Sequence, residues 1–157
     1  KEMTTDVGVD ALSYGGTKNG AMGAEAVIGL RPGAIDGFGF VRKSAMQLSS
    51  KMRYASAQLI ALLEADLWQR NAAHANEMAQ RLAAGVTDIP GVEISRSVDA
   101  NAVFAILPSS VTQRLQQDFK FYVWNHVTGE VRWMCSWDTT EEDVDEFVTA
   151  ILTEIKK

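Results

Sequence analysis

A glycine-rich turn between two short apolar runs constrains this chain more than any other stretch. The turn reads Gly15-Gly16-Thr17-Lys18-Asn19-Gly20, and the runs on either side cover residues 9–14 and 24–30. Short apolar runs are typical of buried strands, and glycine supplies the backbone conformations of a tight connection. We therefore expect Lys18 to lie on a turn between two strands, where the backbone can come close to a bound ligand.

Two familiar glycine motifs are excluded here. A phosphate-binding P-loop has glycine directly before its lysine and Ser or Thr directly after it, whereas Thr17 precedes Lys18 and Asn19 follows it. Gly37-Phe38-Gly39 lacks the third glycine and the strand-to-helix setting of a dinucleotide fingerprint. Neither motif explains the turn.

The chemistry that remains is that of the lysine amine. A primary amine condenses with an aldehyde, and pyridoxal phosphate (PLP) is the common biological aldehyde held in this way. The Thr17 hydroxyl and the N–H groups of the turn could contact its phosphate. From spacing alone, a solvated lysine in a surface turn is the simpler interpretation.

Three blocks carry a resemblance to a known family. They are residues 12–27 (LSYGGTKNGAMGAEAV), 50–58 (SKMRYASAQ) and 131–144 (VRWMCSWDTTEEDV). Together they resemble the low-specificity L-threonine aldolases and related β-eliminating lyases, which are aspartate-aminotransferase-like (fold type I) PLP enzymes. The blocks occur in the family's order and span most of the chain.

The resemblance implies an α/β fold and a position in it. Family members are more than twice this long, and their PLP lysine lies past the middle. Their ring-stacking histidine, the aspartate facing the pyridine nitrogen and a phosphate-binding glycine turn all precede that lysine and have no counterpart here. We therefore expect the C-terminal part of such an enzyme: the last strands of a large, mostly parallel sheet, followed by a small antiparallel sheet with helices.

Three segments are expected along the chain. Residues 1–40 would end the PLP-binding large domain, residues 41–85 would be connecting helices, and residues 86–157 would form a small α+β domain. Helical periodicity runs from about residue 41 to 84, with a break expected near Ser49-Ser50, another near Asp66, and a stop at Gly85.

In the last segment the pattern predicts strands at residues 92–96, 102–107, 121–127 and 131–137, the last two joined by a hairpin at 128–130. A short helix begins at Ser109-Ser110. Thr139 and Glu142 predict a capping box for a final amphipathic helix with Val144, Phe147, Val148, Ile151, Leu152 and Ile155 on one face.

Arg132 is the second candidate site residue. Strand alternation puts Val131, Trp133, Cys135 and Trp137 on one face and Arg132, Met134 and Ser136 on the other. A guanidinium fork suits a carboxylate held by two hydrogen bonds. The resemblance implies that Arg132 binds the substrate's α-carboxylate; from the residues alone, an exposed hairpin arginine is the simpler interpretation.

The other reactive side chains form no recognisable site. His74, His126 and Cys135 have no metal-ligand spacing, so both histidines are interpreted as solvated or structural and the cysteine as core. Arg42, Lys43, Lys51 and Arg53 form a basic group typical of a solvated helix face, although a phosphate of a neighbouring subunit is conceivable.

Composition narrows the partners. The 157 residues carry a net charge of −5, which argues against nucleic acid or an anionic membrane as partner. One cysteine fits a reducing compartment, and no apolar run approaches the roughly 20 residues of a membrane helix. With no signal-peptide pattern, cytoplasmic is the expected location.

The function implied by the resemblance is PLP-dependent cleavage of L-threonine and related β-hydroxy amino acids to glycine and an aldehyde. Lys18 would hold PLP, Arg132 would hold the substrate, and the protein would be a homodimer or homotetramer, with this chain inactive alone. Two alternatives stay open: another PLP lyase of the same fold that acts by β-elimination, and a non-catalytic oligomerisation fragment.

Overall fold

The computed structural model describes all 157 residues, which form two compact units, Lys1–Trp68 and Gln69–Lys157. Each unit is described by itself. The predicted three-part division into residues 1–40, 41–85 and 86–157 stays a prediction. No helix combines the length and the apolar character that crossing a membrane requires.

The first unit contains a two-stranded antiparallel ribbon and two helices. Strand β1 (Ala11–Gly15) pairs with β2 (Glu25–Gly29), so that Gly15 lies opposite Glu25 at the end of the ribbon. Helices α1 (Phe38–Ser44) and α2 (Met52–Leu63) follow.

The two predicted strands are confirmed, but their predicted burial is wrong. Val27 and Ile28 remain 43% and 39% exposed. A two-stranded ribbon has no neighbouring strands and too little surface to bury its side chains.

The predicted helical stretch is broken at both expected places. Helix α1 ends at Ser44 and α2 begins at Met52, which brackets the Ser49-Ser50 break. A 3₁₀ turn, Glu64–Asp66, separates α2 from α3 (Leu67–Val86), and Ala65 and Asp66 both have left-handed backbone, with φ of 49° and 55°.

The prediction that Gly85 stops this helix is wrong. The helix continues through Gly85 to Val86. A Cβ at Gly85 would lie 2.9 Å from Val148 Cγ2, so the glycine allows the helix backbone to approach the final helix closely.

The second unit contains a four-stranded antiparallel sheet in the order β3-β4-β6-β5. Its elements are β3 (Glu93–Ile94), β4 (Ala102–Ile106), α4 (Ser109–Asp118), β5 (Tyr122–Asn125), β6 (Glu130–Met134) and α5 (Glu141–Ile155). Every predicted strand and helix of this segment is present, although each strand is shorter than its apolar run.

The core of the second unit lies between one face of this sheet and the helices. Its buried residues alternate along β4 and β6 and recur at helical spacing along α3, α4 and α5; they include Leu82, Val86, Val103, Ala105, Leu115, Val131, Trp133, Val144 and Ile151. The opposite face of the sheet carries Phe104, Trp124 and Arg132, which this core does not include.

The capping box of α5 lies one residue beyond the predicted position. Thr140, not Thr139, accepts the Asp143 N–H, and the Asp143 carboxylate accepts the Thr140 N–H. The Thr139 hydroxyl accepts the Ser136 N–H at 2.8 Å, and the Thr139 carbonyl accepts from His74 Nε2 at 2.7 Å. Thr139 is therefore already bound where the sheet ends, and the next threonine caps the helix.

Candidate functional site

Lys18 lies in the middle of a short 3₁₀ turn, Thr17–Asn19, between β1 and β2. The Gly16 carbonyl accepts the N–H groups of Asn19 and Ala21 at 3.0 and 3.1 Å, and the Gly16 N–H donates to the Ala24 carbonyl at 2.8 Å. Gly20 ends the turn with φ of 104°, a conformation that glycine adopts without strain. The predicted tight connection is present.

The turn is fixed to the helical part of its unit. Gly16 is buried, and a Cβ there would lie 3.1 Å from Leu62 Cδ1 of α2. The Gly23 N–H donates to Gln58 Oε1 at 3.1 Å, and Asn19 Nδ2 donates to the Trp68 carbonyl at 2.9 Å. The turn that carries Lys18 is therefore held by hydrogen bonds at Asn19 and at Gly23.

The Lys18 amine is chemically available. Its side chain is exposed and makes no ion pair and no hydrogen bond to another side chain or to the backbone. An amine that no carboxylate or carbonyl holds is free to approach an aldehyde.

Glu25 is a residue at this turn that sequence reasoning missed. Its Oε1 accepts the Thr17 N–H at 3.4 Å, and its Oε2 would lie 2.6 Å from a Cβ at Gly15. The Glu25 carboxylate thus lies where a side chain at Gly15 would be. The signal was available in the pairing, since a hairpin closed around residues 16–24 sets Gly15 opposite Glu25.

The anion-binding capacity of the turn is smaller than its glycines indicate. The N–H groups of Gly16, Asn19 and Ala21 bind carbonyl oxygens, and that of Thr17 binds a carboxylate. The Thr17 hydroxyl is exposed and makes no such bond. Thr17 as a phosphate contact stays a prediction, and its hydroxyl is one group of this turn that could serve.

Arg132 occupies the middle of β6, opposite Phe104 of β4 on one side and Tyr122 of β5 on the other. As predicted, Val131, Trp133 and Cys135 point into the core, and Arg132 and Met134 lie on the opposite face. The predicted core position of Trp137 is wrong: it is 41% exposed, because β6 ends at Met134 and the alternation of buried side chains does not continue past Cys135.

The Arg132 guanidinium has an aromatic neighbour and no acidic partner. Its Cζ lies 4.3 Å from the centroid of the Trp124 ring, and its Nε is buried without a hydrogen-bond partner. No carboxylate pairs with it. A half-buried arginine in this condition can accept a carboxylate from outside the unit.

The remaining candidates are structural or solvated, as predicted. His74 donates to the Thr139 carbonyl, and His126 is exposed in the β5–β6 turn. Burial raises the pKa of the Cys135 thiol to about 11, so this cysteine is protonated core and not a nucleophile.

In the predicted basic group, Lys43, Lys51 and Arg53 are exposed. Arg42 differs, because it lines a cavity of about 570 Å³ between the β1–β2 ribbon and the helices of the first unit, and its Nε is buried without a partner.

The two main candidates, Lys18 and Arg132, belong to different units, so the structure gives two separate local sites.

Comparisons with known proteins show which family the chain resembles. No protein-family model matches the chain. A low-specificity L-threonine aldolase of a Pseudomonas species is 42% identical over 151 residues, and that of Pseudomonas aeruginosa is 40% identical; both matches cover 96% of this chain. The chain spans 43% of the length of these curated relatives.

A solved structure gives the same result for the fold. The threonine aldolase of Leishmania major matches with a TM-score of 0.77 and 29% identity, over 91% of this chain and 42% of its own. The resemblance predicted from three sequence blocks is therefore confirmed, and the chain corresponds in sequence and fold to the C-terminal part of the low-specificity L-threonine aldolases, which have the α/β fold of type I PLP enzymes.

Proposed function

We propose that the complete protein is a PLP-dependent lyase that cleaves L-threonine and related β-hydroxy amino acids to glycine and an aldehyde. The observation that carries this proposal is the unpaired amine of Lys18, fixed on a glycine-flanked turn in a chain 42% identical to a low-specificity L-threonine aldolase. With L-threonine as substrate, the aldehyde is acetaldehyde.

Lys18 is the residue that would hold the cofactor. Its amine has no counter-ion, and the turn that carries it is bonded at Asn19 and Gly23, so the nitrogen can be presented to an aldehyde from a fixed base. The residues present fit the aldehyde end of PLP, and the Thr17 hydroxyl fits its phosphate. When bound, PLP supplies an electron sink that stabilises the negative charge left at the substrate's Cα.

Arg132 would bind the substrate's α-carboxylate. Its planar guanidinium can donate two parallel hydrogen bonds, and the absence of a carboxylate partner in its own unit leaves that capacity available. Fixing the carboxylate restricts the rotation of the amino acid and so selects which bond at Cα is oriented for cleavage.

We also propose a homo-oligomeric, cytoplasmic protein. Large apolar side chains of the first unit are widely exposed, among them Met22, Phe40 and Met46, which supports coverage by further protein surface. The single, fully protonated Cys135 fits a compartment in which disulfides are not formed.

The decisive test uses borohydride trapping on the complete protein. Reduction should fix PLP covalently to the tryptic peptide that contains Lys18, and Lys18→Ala should abolish both this label and the release of glycine and acetaldehyde from L-threonine. Lys120→Ala is the matched control, since Lys120 is also exposed and should keep both. Label on another peptide, or a Lys18→Ala variant that keeps its activity, would contradict the assignment.

A further inference from the structure

Two arginines on the open face of the four-stranded sheet have nearly the same aromatic surroundings but differ in their ion pairing. Arg96 Cζ lies 4.4 Å from the ring centroid of Phe104, and Arg132 Cζ lies 4.3 Å from that of Trp124. The two rings touch edge to face, with centroids 5.7 Å apart. Arg96 is paired with a carboxylate, and Arg132 is not.

Glu130 is the carboxylate that Arg96 holds. Arg96 Nη2 donates to Glu130 Oε2 at 2.6 Å, Arg96 Nε donates to Oε1 at 3.0 Å, and the Ser95 hydroxyl donates to Oε1 at 2.7 Å. Glu130 is only 5% exposed. Hydrogen bonds from Arg96, and then from Ser95, lower the pKa of this carboxyl, so it carries a full charge at neutral pH.

The position of Glu130 makes this pairing important for Arg132. The two residues are two positions apart on β6 and therefore project from the same face of the strand. A glutamate at this spacing is within reach of the arginine. If its oxygens were not already bonded, it could pair with Arg132 and compete with any incoming carboxylate.

We propose that Arg96 and Trp124 are positioning residues for Arg132. Arg96 holds Glu130, and the Trp124 ring supports the guanidinium, so that the guanidinium stays unpaired and can bind the substrate's carboxylate. This inference rests on the proposed function, in which Arg132 binds that carboxylate. The buried Nε of Arg132 then leaves the two terminal amino groups as the donors.

The first test removes Arg96 in the complete protein. Arg96→Met should release Glu130 to pair with Arg132 and raise KM for L-threonine about tenfold with little change in kcat, because one competing charge-assisted hydrogen bond is worth roughly that factor. The double variant Arg96→Met/Glu130→Gln should restore KM to within about twofold of the wild type, because the competitor has lost its charge.

This rescue separates positioning from simple structural damage. If Arg96 only stabilised the sheet, removing the charge of Glu130 as well would not recover the lost affinity, and the melting temperature would fall as KM rises. A double variant with KM as high as that of the single variant overturns the inference.

The second test concerns the ring. Trp124→Phe keeps an aromatic face and should leave KM within about twofold, whereas Trp124→Leu should raise KM about fivefold, as expected for the loss of a partly desolvated cation–π contact. Equal KM values for the Phe and Leu variants would show that the ring has no positioning role.

A binding measurement separates this inference from the proposed function. N-acetylglycine has a carboxylate but no free amine, so it cannot react with an aldehyde cofactor, and its affinity can be measured by calorimetry. Its dissociation constant should rise in Arg96→Met and recover in the double variant. A protein that shows this pattern but does not cleave L-threonine refutes the proposed function alone, and one that cleaves L-threonine without the pattern refutes the inference alone.

Discussion

At the scale of single residues, the glycines around Lys18 have different roles. Gly20 is needed for its left-handed backbone, whereas Gly16 is needed for its lack of a side chain. A Cβ at Gly16 would lie 2.9 Å from the Ala24 carbonyl oxygen and 3.1 Å from Leu62 Cδ1, while one at Gly23 would meet nothing within 4 Å. In the sequence Gly16, Gly20 and Gly23 are all glycines, and the different structural requirements at these positions cannot be read from it.

This difference leads to a paired prediction. Gly16→Ala should destabilise the protein by about 1–3 kcal/mol, because the new methyl group overlaps a backbone oxygen that cannot move without disturbing β2. Gly23→Ala should change the free energy of unfolding by less than about 0.5 kcal/mol. Urea unfolding midpoints of the two variants decide the matter, and equal midpoints would contradict the close packing at Gly16.

At the scale of elements, the connection between α2 and α3 is the most strained segment of the chain. Ala65 and Asp66 both have positive φ, and neither is a glycine. Left-handed backbone costs an L-residue roughly 1–2 kcal/mol. A new helix, α3, begins directly after this segment at Leu67.

Ala65→Gly should therefore stabilise the protein by about 0.5–1 kcal/mol, since glycine adopts φ of 49° without the clash of a Cβ. The matched control is Ala57→Gly in the exposed middle of α2, where the same substitution should destabilise by about 1 kcal/mol. Thermal unfolding measures both variants. A loss of stability in each would show that residue 65 is not held in the left-handed region.

The same elements show what sequence periodicity can and cannot predict. The break near Asp66 was predictable because the helical run is long for one straight helix, but the left-handed residues were not. The capping box was placed one residue too early, because Thr139 with Glu142 and Thr140 with Asp143 fit the same pattern, and the choice depends on the contacts of Thr139 with Ser136 and His74. Patterns fix the type of an element, and tertiary contacts fix its ends.

At the scale of the whole molecule, the second unit was the more predictable part. Its alternating strands and amphipathic helices bury their apolar faces against one another within the same unit, so local pattern and final burial agree. The ribbon that carries Lys18 has the same kind of pattern without the layers to cover it. The Trp124–Arg132 stack was not foreseen, because it depends on how β5 lies against β6, whereas Glu25 was missed although the hairpin sets it opposite Gly15.

The second unit should lose stability in acid. Arginine, lysine or N-cap hydrogen bonds lower the pKa values of four carboxyl groups there, Glu130, Asp143, Asp145 and Glu154, below their ordinary 4.5 or 3.8. Since the folded pKa is the lower one, their contribution is complete above the ordinary pKa and is lost as the pH falls through the folded value.

Urea midpoints measured from about pH 6 down to about pH 3 should therefore decline below roughly pH 4.5, and added salt should weaken the decline, since most of these pairs are partly exposed. Glu130→Gln should flatten part of the curve, because the amide does not titrate. A midpoint that stays constant through this range would contradict the pKa directions.

The sheltered thiol of Cys135 has a practical consequence. It is the only sulfhydryl of the chain, and with a pKa of about 11 it provides very little thiolate at neutral pH. A cysteine introduced at an exterior position would thus meet little competition from the native one during maleimide coupling. Fluorophores or spin labels can be attached one at a time to a background that requires no prior cysteine removal.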